Sequence, residues 1–245
     1  MDFKNSWDNL VRAESYSKLE YPNTYYLAYR DIPDIIFRHV KGNKAVDFGC
    51  GAGRSTRFLK KLGFHVIGID ISQDMLNIAR ELDRQGDYQL VNNAQYSHLG
   101  NGSFDLVQSI FTFDNIPGWE NRTQILASLR DLLNPTGRII CLDSTPELYK
   151  NEWASFTTKD FPSNWKAKTG DIVYDIMNDV EDKRPVEDIF WAEEDYKKLF
   201  EMSGLEIEIA YKPLGRKDEP FNWIMETEIA PWVIYVIKKK DVNNF

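Results

Sequence analysis

The chain has 245 residues, 42% of them hydrophobic, with seven Trp, twelve Tyr and fourteen Phe: material for one sizeable core and surplus rings for a ligand cavity. Its formal charge of -8 offers no counterion-displacing surface to a polyanion, which argues against DNA or RNA as a partner. Two cysteines, Cys50 and Cys141, argue for reduced thiols rather than a disulfide framework; with no signal-like stretch over 1–10 and no membrane-length apolar run, a cytoplasmic protein without membrane attachment is expected.

The N-terminal segment, 1–40, concentrates Tyr16, Tyr21, Tyr25, Tyr26, Tyr29 and Arg30 and reads as helical. Short apolar runs then predict strands at 44–48, 65–69, 88–91, 104–109 and 138–142. Between them, apolar residues at i, i+3 and i+4 predict helices at 55–61, 74–82 and 123–133, the alternation of βαβ units. Asn134, Pro135 and Gly137 predict a tight connection into the fifth strand, with Gly137 free to take a positive φ. Regularity stops over 144–191, an aromatic stretch in which 171–177 and 185–190 can pair around a charged turn as a cap. A helix at 192–202 and strands at 205–211 and 230–238, joined by the loop 212–229, complete the sheet as an antiparallel edge pair. The expected architecture is α/β: a single domain on a Rossmann-like seven-stranded, mostly parallel sheet, with a cofactor-binding core at 41–143, the cap inserted at 144–191 and a C-terminal helix and strand pair at 192–245.

Asp47-Phe48-Gly49-Cys50-Gly51-Ala52-Gly53-Arg54 runs from a buried strand into a helix, and the glycines let backbone approach a ligand. The second strand ends in Asp70, about 20 residues on, where a carboxylate can accept both hydroxyls of a ribose. The dehydrogenase form of this loop wants a third small residue at the helix start, and Arg54 fits that badly. Asp47, just before the loop, repels a pyrophosphate but suits an ammonium group. A zwitterionic amino-acid tail matches the site better than a dinucleotide, and a nicotinamide-dependent oxidoreductase is the rival reading.

With Ile69-Asp70-Ile71-Ser72, Met75 and Ser103-Phe104-Asp105-Leu106-Val107 in register, 31–143 resembles the class I S-adenosylmethionine-dependent methyltransferases, in particular the branch that modifies ubiquinone and natural products. The resemblance implies S-adenosyl-L-methionine as cofactor, with Gly49, Gly51 and Gly53 under its methionine part, Asp47 near its amino group and Asp70 on its ribose. It implies Ile71 and Met75 about the adenine, Asn93 beside Ala94 facing the exocyclic amine, and Ser109 and Phe111 flanking the sulfonium.

Methyl transfer is an in-line displacement that rewards positioning. Where many relatives place His after the fourth strand, this chain has Phe111-Thr112-Phe113-Asp114-Asn115, so Asp114 is the ionisable candidate there, as base or as anchor for a cationic acceptor, or else simply a turn cap. Arg30 or Tyr16 can take the methionine carboxylate. Trp119, Trp165, Trp191, Trp223 and Glu226 are candidate acceptor contacts from the cap and loops. A small organic acceptor is expected, with nitrogen and oxygen both open and a non-catalytic cofactor-binding protein as the remaining alternative.

Overall fold

The computed structural model describes residues 10–92 and 94–240, the side chains of Leu10, Val11 and Ala13 excepted. Three short helices, α1 (Leu10–Ser17), α2 (Thr24–Arg30) and α3 (Ile32–His39), lead into an alternating core. That core comprises β1 (Lys44–Phe48), α4 (Arg54–Lys61), β2 (His65–Asp70), α5 (Gln73–Leu82), β3 (Asp87–Leu90), β4 (Phe104–Ile110), α6 (Trp119–Leu132) and β5 (Leu133–Ser144). A small second sheet follows, β6 (Phe156–Thr157), β7 (Ile172–Met177) and β8 (Val186–Ile189), then α7 (Glu193–Met202), β9 (Leu205–Tyr211) and β10 (Trp232–Lys239).

The large sheet has the order β3-β2-β1-β4-β5-β10-β9, parallel from β3 to β5, with β10 antiparallel to both β5 and β9. This is the seven-stranded, mostly parallel sheet that the patterning predicts. The last strand among the described residues is not at the edge: β10 slots between β5 and β9 and is buried over residues 232–237, while the edge strand β9 is largely open. Strand order reverses between β1 and β4, and the crevice beyond their carboxyl ends is where open α/β sheets bind ligands.

Alternation along the strands divides the core in two. Ile140, Leu142, Ile234 and Val236 pack with Leu27, Ile32, Trp153 and Val173 from the N-terminal helices and the cap. Ile139, Cys141, Val233 and Ile237 face the other way, onto Leu126, Leu129, Leu199 and Phe200 of α6 and α7. Each such side chain contributes about 1.5–3 kcal/mol by leaving water. In the cap, β7 and β8 pair antiparallel with Val173 opposite Asp188 and Asp175 opposite Val186. Arg12 on α1 clamps the β7–β8 turn, donating to Asp182 Oδ2 and to the carbonyls of Arg184 and Pro185.

Two local expectations fail for identifiable reasons. α6 starts at Trp119, a turn before the predicted 123, because a buried cation interrupts its apolar pattern. Arg122 is fully buried: its Nε and Nη2 donate to the carbonyls of Ile116 and Phe113 at 2.6 Å, and its guanidinium lies 3.9 Å from the Trp191 ring centroid. The stretch 134–137 is drawn into the start of β5 as a register shift against β4 rather than forming a separate tight turn. Gly137 is outside the positive-φ set; a glycine is required because a Cβ there would lie 2.8 Å from the carbonyl oxygen of Phe104. No helix among the described residues is long and apolar enough to cross a membrane.

Candidate active site

A cavity of about 370 Å³ opens at the β1/β4 switch point and runs under the cap. Its floor is the turn from β1 into α4. Gly49 and Gly51 both take positive φ, 69° and 51°; a Cβ on Gly49 would collide with the Thr112 side chain, and one on Gly51 would face Met75 Cε at 3.0 Å. Asp70, at the end of β2, accepts the backbone N–H of Gly51 on Oδ2 and that of Ser72 on Oδ1, each at 2.8 Å. Ser72 in turn caps α5 through the N–H of Met75. The same carboxylate thus braces the glycine loop and the start of α5 while lining the cavity, where Ile71 stands at the rim, 62% exposed, and Met75 lies within.

Among the described lining residues Arg54 is the one cation. Its Nη2 donates to Tyr16 Oη at 2.7 Å, its Nη1 donates to the carbonyls of Leu19 and Glu20, and the rings of Tyr16, Tyr25 and Tyr29 lie 5.0, 5.3 and 5.5 Å from its guanidinium carbon.

The far end is acidic and aromatic. Asp114, in the short 3-10 turn Phe113–Asn115, lines it together with Asp175 of β7 and Asp188 of β8, and β8 packs on that turn. Asp114 Oδ2 accepts from the backbone N–H and the hydroxyl of Ser144, and Asp188 accepts from Tyr149 Oη at 3.2 Å. Burial pushes the proton affinity of all three upward. Neighbouring carboxylates add to this for Asp175, raised to about 7, and for Asp188, raised well above the usual carboxylate range. Tyr25, Phe111, Phe156 and Trp232 form the adjoining wall, with ring centroids 4.7–6.2 Å apart.

Residues 46–141, which carry the glycine loop and Asp70, match a family model described as a methyltransferase domain. The chain is a methyltransferase, and its fold is that of S-adenosylmethionine-dependent methyltransferases of known structure. It is 28% identical over 180 residues to an uncharacterized methyltransferase of Alkaliphilus oremlandii, covering 73% of this chain and 82% of that protein. It is 23% identical to the N-demethylindolmycin N-methyltransferase of Streptomyces griseus, over 84% and 90% of the two chains. Relatives named as ubiquinone biosynthesis O-methyltransferases match over about half of their own length. Among solved structures, the CcbJ methyltransferase of Streptomyces caelestis superposes with a TM-score of 0.68 at 16% identity, over 98% of this chain and 100% of that one, a likeness of fold.

The lining of the methyltransferase's cavity fits this cofactor. Four carboxylates, Asp70, Asp114, Asp175 and Asp188, face one guanidinium, an excess that suits a molecule carrying a sulfonium and an ammonium against a single carboxylate, and the glycine loop offers it bare backbone.

Of the residues singled out in the sequence, Gly49, Gly51, Asp70, Ile71, Met75, Ala94, Phe111, Tyr16 and Asp114 line the cavity. Asn93 lies outside the described residues. Asp47 is not in the lining: fully buried, it accepts from the hydroxyls of Ser55 and Thr56 and from Gln108, so it holds α4 onto β1 rather than reaching a ligand. Gly53 backs onto the Tyr88 ring, and Ser109 is buried within β4 between β1 and β5. Arg30 is drawn to Asp31, Glu219 and the carbonyl of Leu214, tying α2 to the final loop. Trp119 and Trp191 pack on each other beside Arg122, Trp165 is 64% exposed, and Trp223 rests on Phe221 while donating to the Arg216 carbonyl. Glu226 is fully buried, accepting from Thr24 Oγ1 and from the N–H groups of Ala154, Ile224 and Met225, which makes it a latch between α2, the cap and the last loop.

Arg54, Thr112, Asp175 and Asp188 line the cavity without having been singled out. The two cap acids did leave a trace: Asp175 alternates inward with Val173 and Met177 on β7, and Asp188 with Val186 on β8, so each is an acid in the core-facing register of its strand.

Proposed function

We propose that this methyltransferase acts in the cytoplasm on a small organic acceptor, as a single domain in which 144–191 closes over the acceptor. The observation that carries the reading is the continuity of one cavity from the glycine loop to the inner faces of β7 and β8. A site roofed by the cap suits a small molecule better than a polymer chain.

In this reading Asp70 receives the ribose hydroxyls, Ile71 and Met75 bound the adenine, and the backbone at Gly49 and Gly51 underlies the methionine part. Arg54 takes the methionine carboxylate, the role expected of Arg30 or Tyr16. When bound, the cofactor supplies a methyl group on a sulfonium, open to in-line attack by a nucleophile. The chain's own contribution is positioning: Phe111 and Thr112 close the end of β4, and Asp114, steadied by Ser144, faces the acceptor space.

The test is titration with S-adenosylhomocysteine, followed by incubation with methyl-labelled S-adenosylmethionine and a fractionated cell extract. Label in the low-mass fraction, with a gain of one CH2 by mass spectrometry, is the expected result. Label confined to the protein or nucleic-acid fraction would overturn the small-acceptor reading.

A further inference from the structure

The acidic end of the cavity gathers more carboxyl groups than methyl transfer by positioning requires. Asp114, Asp175 and Asp188 line it, and the cations nearest to them are engaged elsewhere: Arg12 by the β7–β8 turn and Arg122 by the carbonyls of Ile116 and Phe113 and the Trp191 ring. Arg54, the lining cation, is held beside Tyr16 near the glycine loop. Asp114 and Asp188 each have a hydrogen-bond donor, but Asp175, 2% exposed, has an Oδ1 with no partner. A buried oxygen left in that state is destabilising, and a ligand that supplies the missing donor relieves the cost. Beside it stand the rings of Tyr25, Phe111, Phe156 and Trp232, whose faces attract positive charge.

We infer that the acceptor is an amine that enters as an ammonium, its N–H groups held by Asp175 with Asp188 and Asp114 around it and its carbon skeleton against the aromatic wall. This rests on the small-acceptor reading above and specifies its chemistry. A phenolate would be repelled by whichever of the three acids is ionised, and a neutral hydroxyl would supply no charge to hold any of them in that form.

An ammonium has no lone pair, so the amine first passes one proton to the Asp175 carboxylate. The freed nitrogen pair forms the N–C bond to the methyl, and the C–S pair leaves with sulfur. A secondary ammonium therefore becomes a tertiary ammonium, and the proton on Asp175 returns to water when the product departs.

The experiment uses the full chain loaded with S-adenosylhomocysteine and reads binding by isothermal titration. The probes are a panel of small cyclic and aromatic secondary amines, N-methylbenzylamine among them, each matched with its ether or alcohol isostere. The amines that bind are expected to do so at least tenfold more tightly than their isosteres. D175N should remove at least tenfold of that affinity, and D188N should weaken it as well, while S-adenosylhomocysteine affinity, the check on folding, is retained. With S-adenosylmethionine, the bound amines should gain one CH2. Equal binding of amines and isosteres, absence of amine binding across the panel, or amine affinity unaffected by D175N would overturn the inference. Methylation of phenols in place of amines would overturn it and leave the small-acceptor reading standing; failure of the protein to bind S-adenosylhomocysteine would strike that reading itself.

Discussion

Asp70 Oδ2 accepts the backbone N–H of Gly51 at 2.8 Å, so the carboxylate that ends β2 braces the glycine loop. Asp70→Ala removes both this brace and the proposed ribose acceptor. Affinity for S-adenosylhomocysteine should fall by about 1–3 kcal/mol, or roughly fivefold to 150-fold, by isothermal titration. Unchanged affinity would move the ribose elsewhere.

Arg54 is predicted to discriminate between ligands with and without the amino-acid tail. Arg54→Met should weaken S-adenosylhomocysteine at least tenfold and leave 5′-methylthioadenosine, which lacks the carboxylate, nearly unchanged. Equal losses for both would assign Arg54 to holding the N-terminal segment through Tyr16, Leu19 and Glu20.

Asp114 sits between Ser144 and the acceptor space. Asp114→Asn should lower kcat by about tenfold or more while S-adenosylhomocysteine affinity stays within about twofold, the pattern of a group that serves acceptor and not cofactor. Equal turnover would leave Asp114 with a packing role alone.

Glu226 gathers four donors from three separate segments with no exposure to water. Glu226→Ala strands those donors and should cost at least about 3 kcal/mol in urea unfolding. Glu226→Gln, which keeps one acceptor oxygen, should cost less. A neutral alanine variant would mean that water replaces the latch.

Stability should decline as pH rises through neutrality in the ligand-free protein. Burial raises Asp47 to about 6 against the pull of Ser55, Thr56 and Gln108, and also raises Asp143 and Asp175. A carboxyl with a raised folded pKa makes the native state bind more protons than the unfolded chain between the ordinary carboxylate value near ~4 and the shifted value. That stability is fully present below ~4 and is lost as pH passes the shifted pKa, so Tm should be higher at pH 5 than at pH 8. A rising Tm over that interval would contradict the raised values. Bound amine should flatten the slope by stabilising Asp175 in its charged form.

The glycine loop, Asp70, Ile71 and Met75 were legible because strand, turn and helix place them within one βαβ unit, where separation along the chain implies proximity in space. The seven-stranded sheet was legible for the same reason, since period 2 and period 3.6 are local properties of a segment. In the sequence Arg54 stands out only as a misfit to another cofactor's loop, since its partner Tyr16 belongs to a helix on the far side of β1. Asp47 looked like a ligand because chain position cannot reveal that Ser55, Thr56 and Gln108 converge on its carboxylate. Trp191 and Trp119 looked like acceptor contacts because burial against Arg122 and a ligand wall demand the same residue type.

Local periodicity was therefore enough for the sheet, and the glycine loop, 69–75 and 103–107 in register were enough, by resemblance, for the cofactor class. Which acids share the cavity was decided by tertiary packing: β8 seats on the 3-10 turn after β4 and brings Asp188, with Asp175 on the paired strand, to face the same space as Asp114. Those three residues are scattered over 114–188, and only long-range contacts, whose partners no local pattern encodes, set them beside one another.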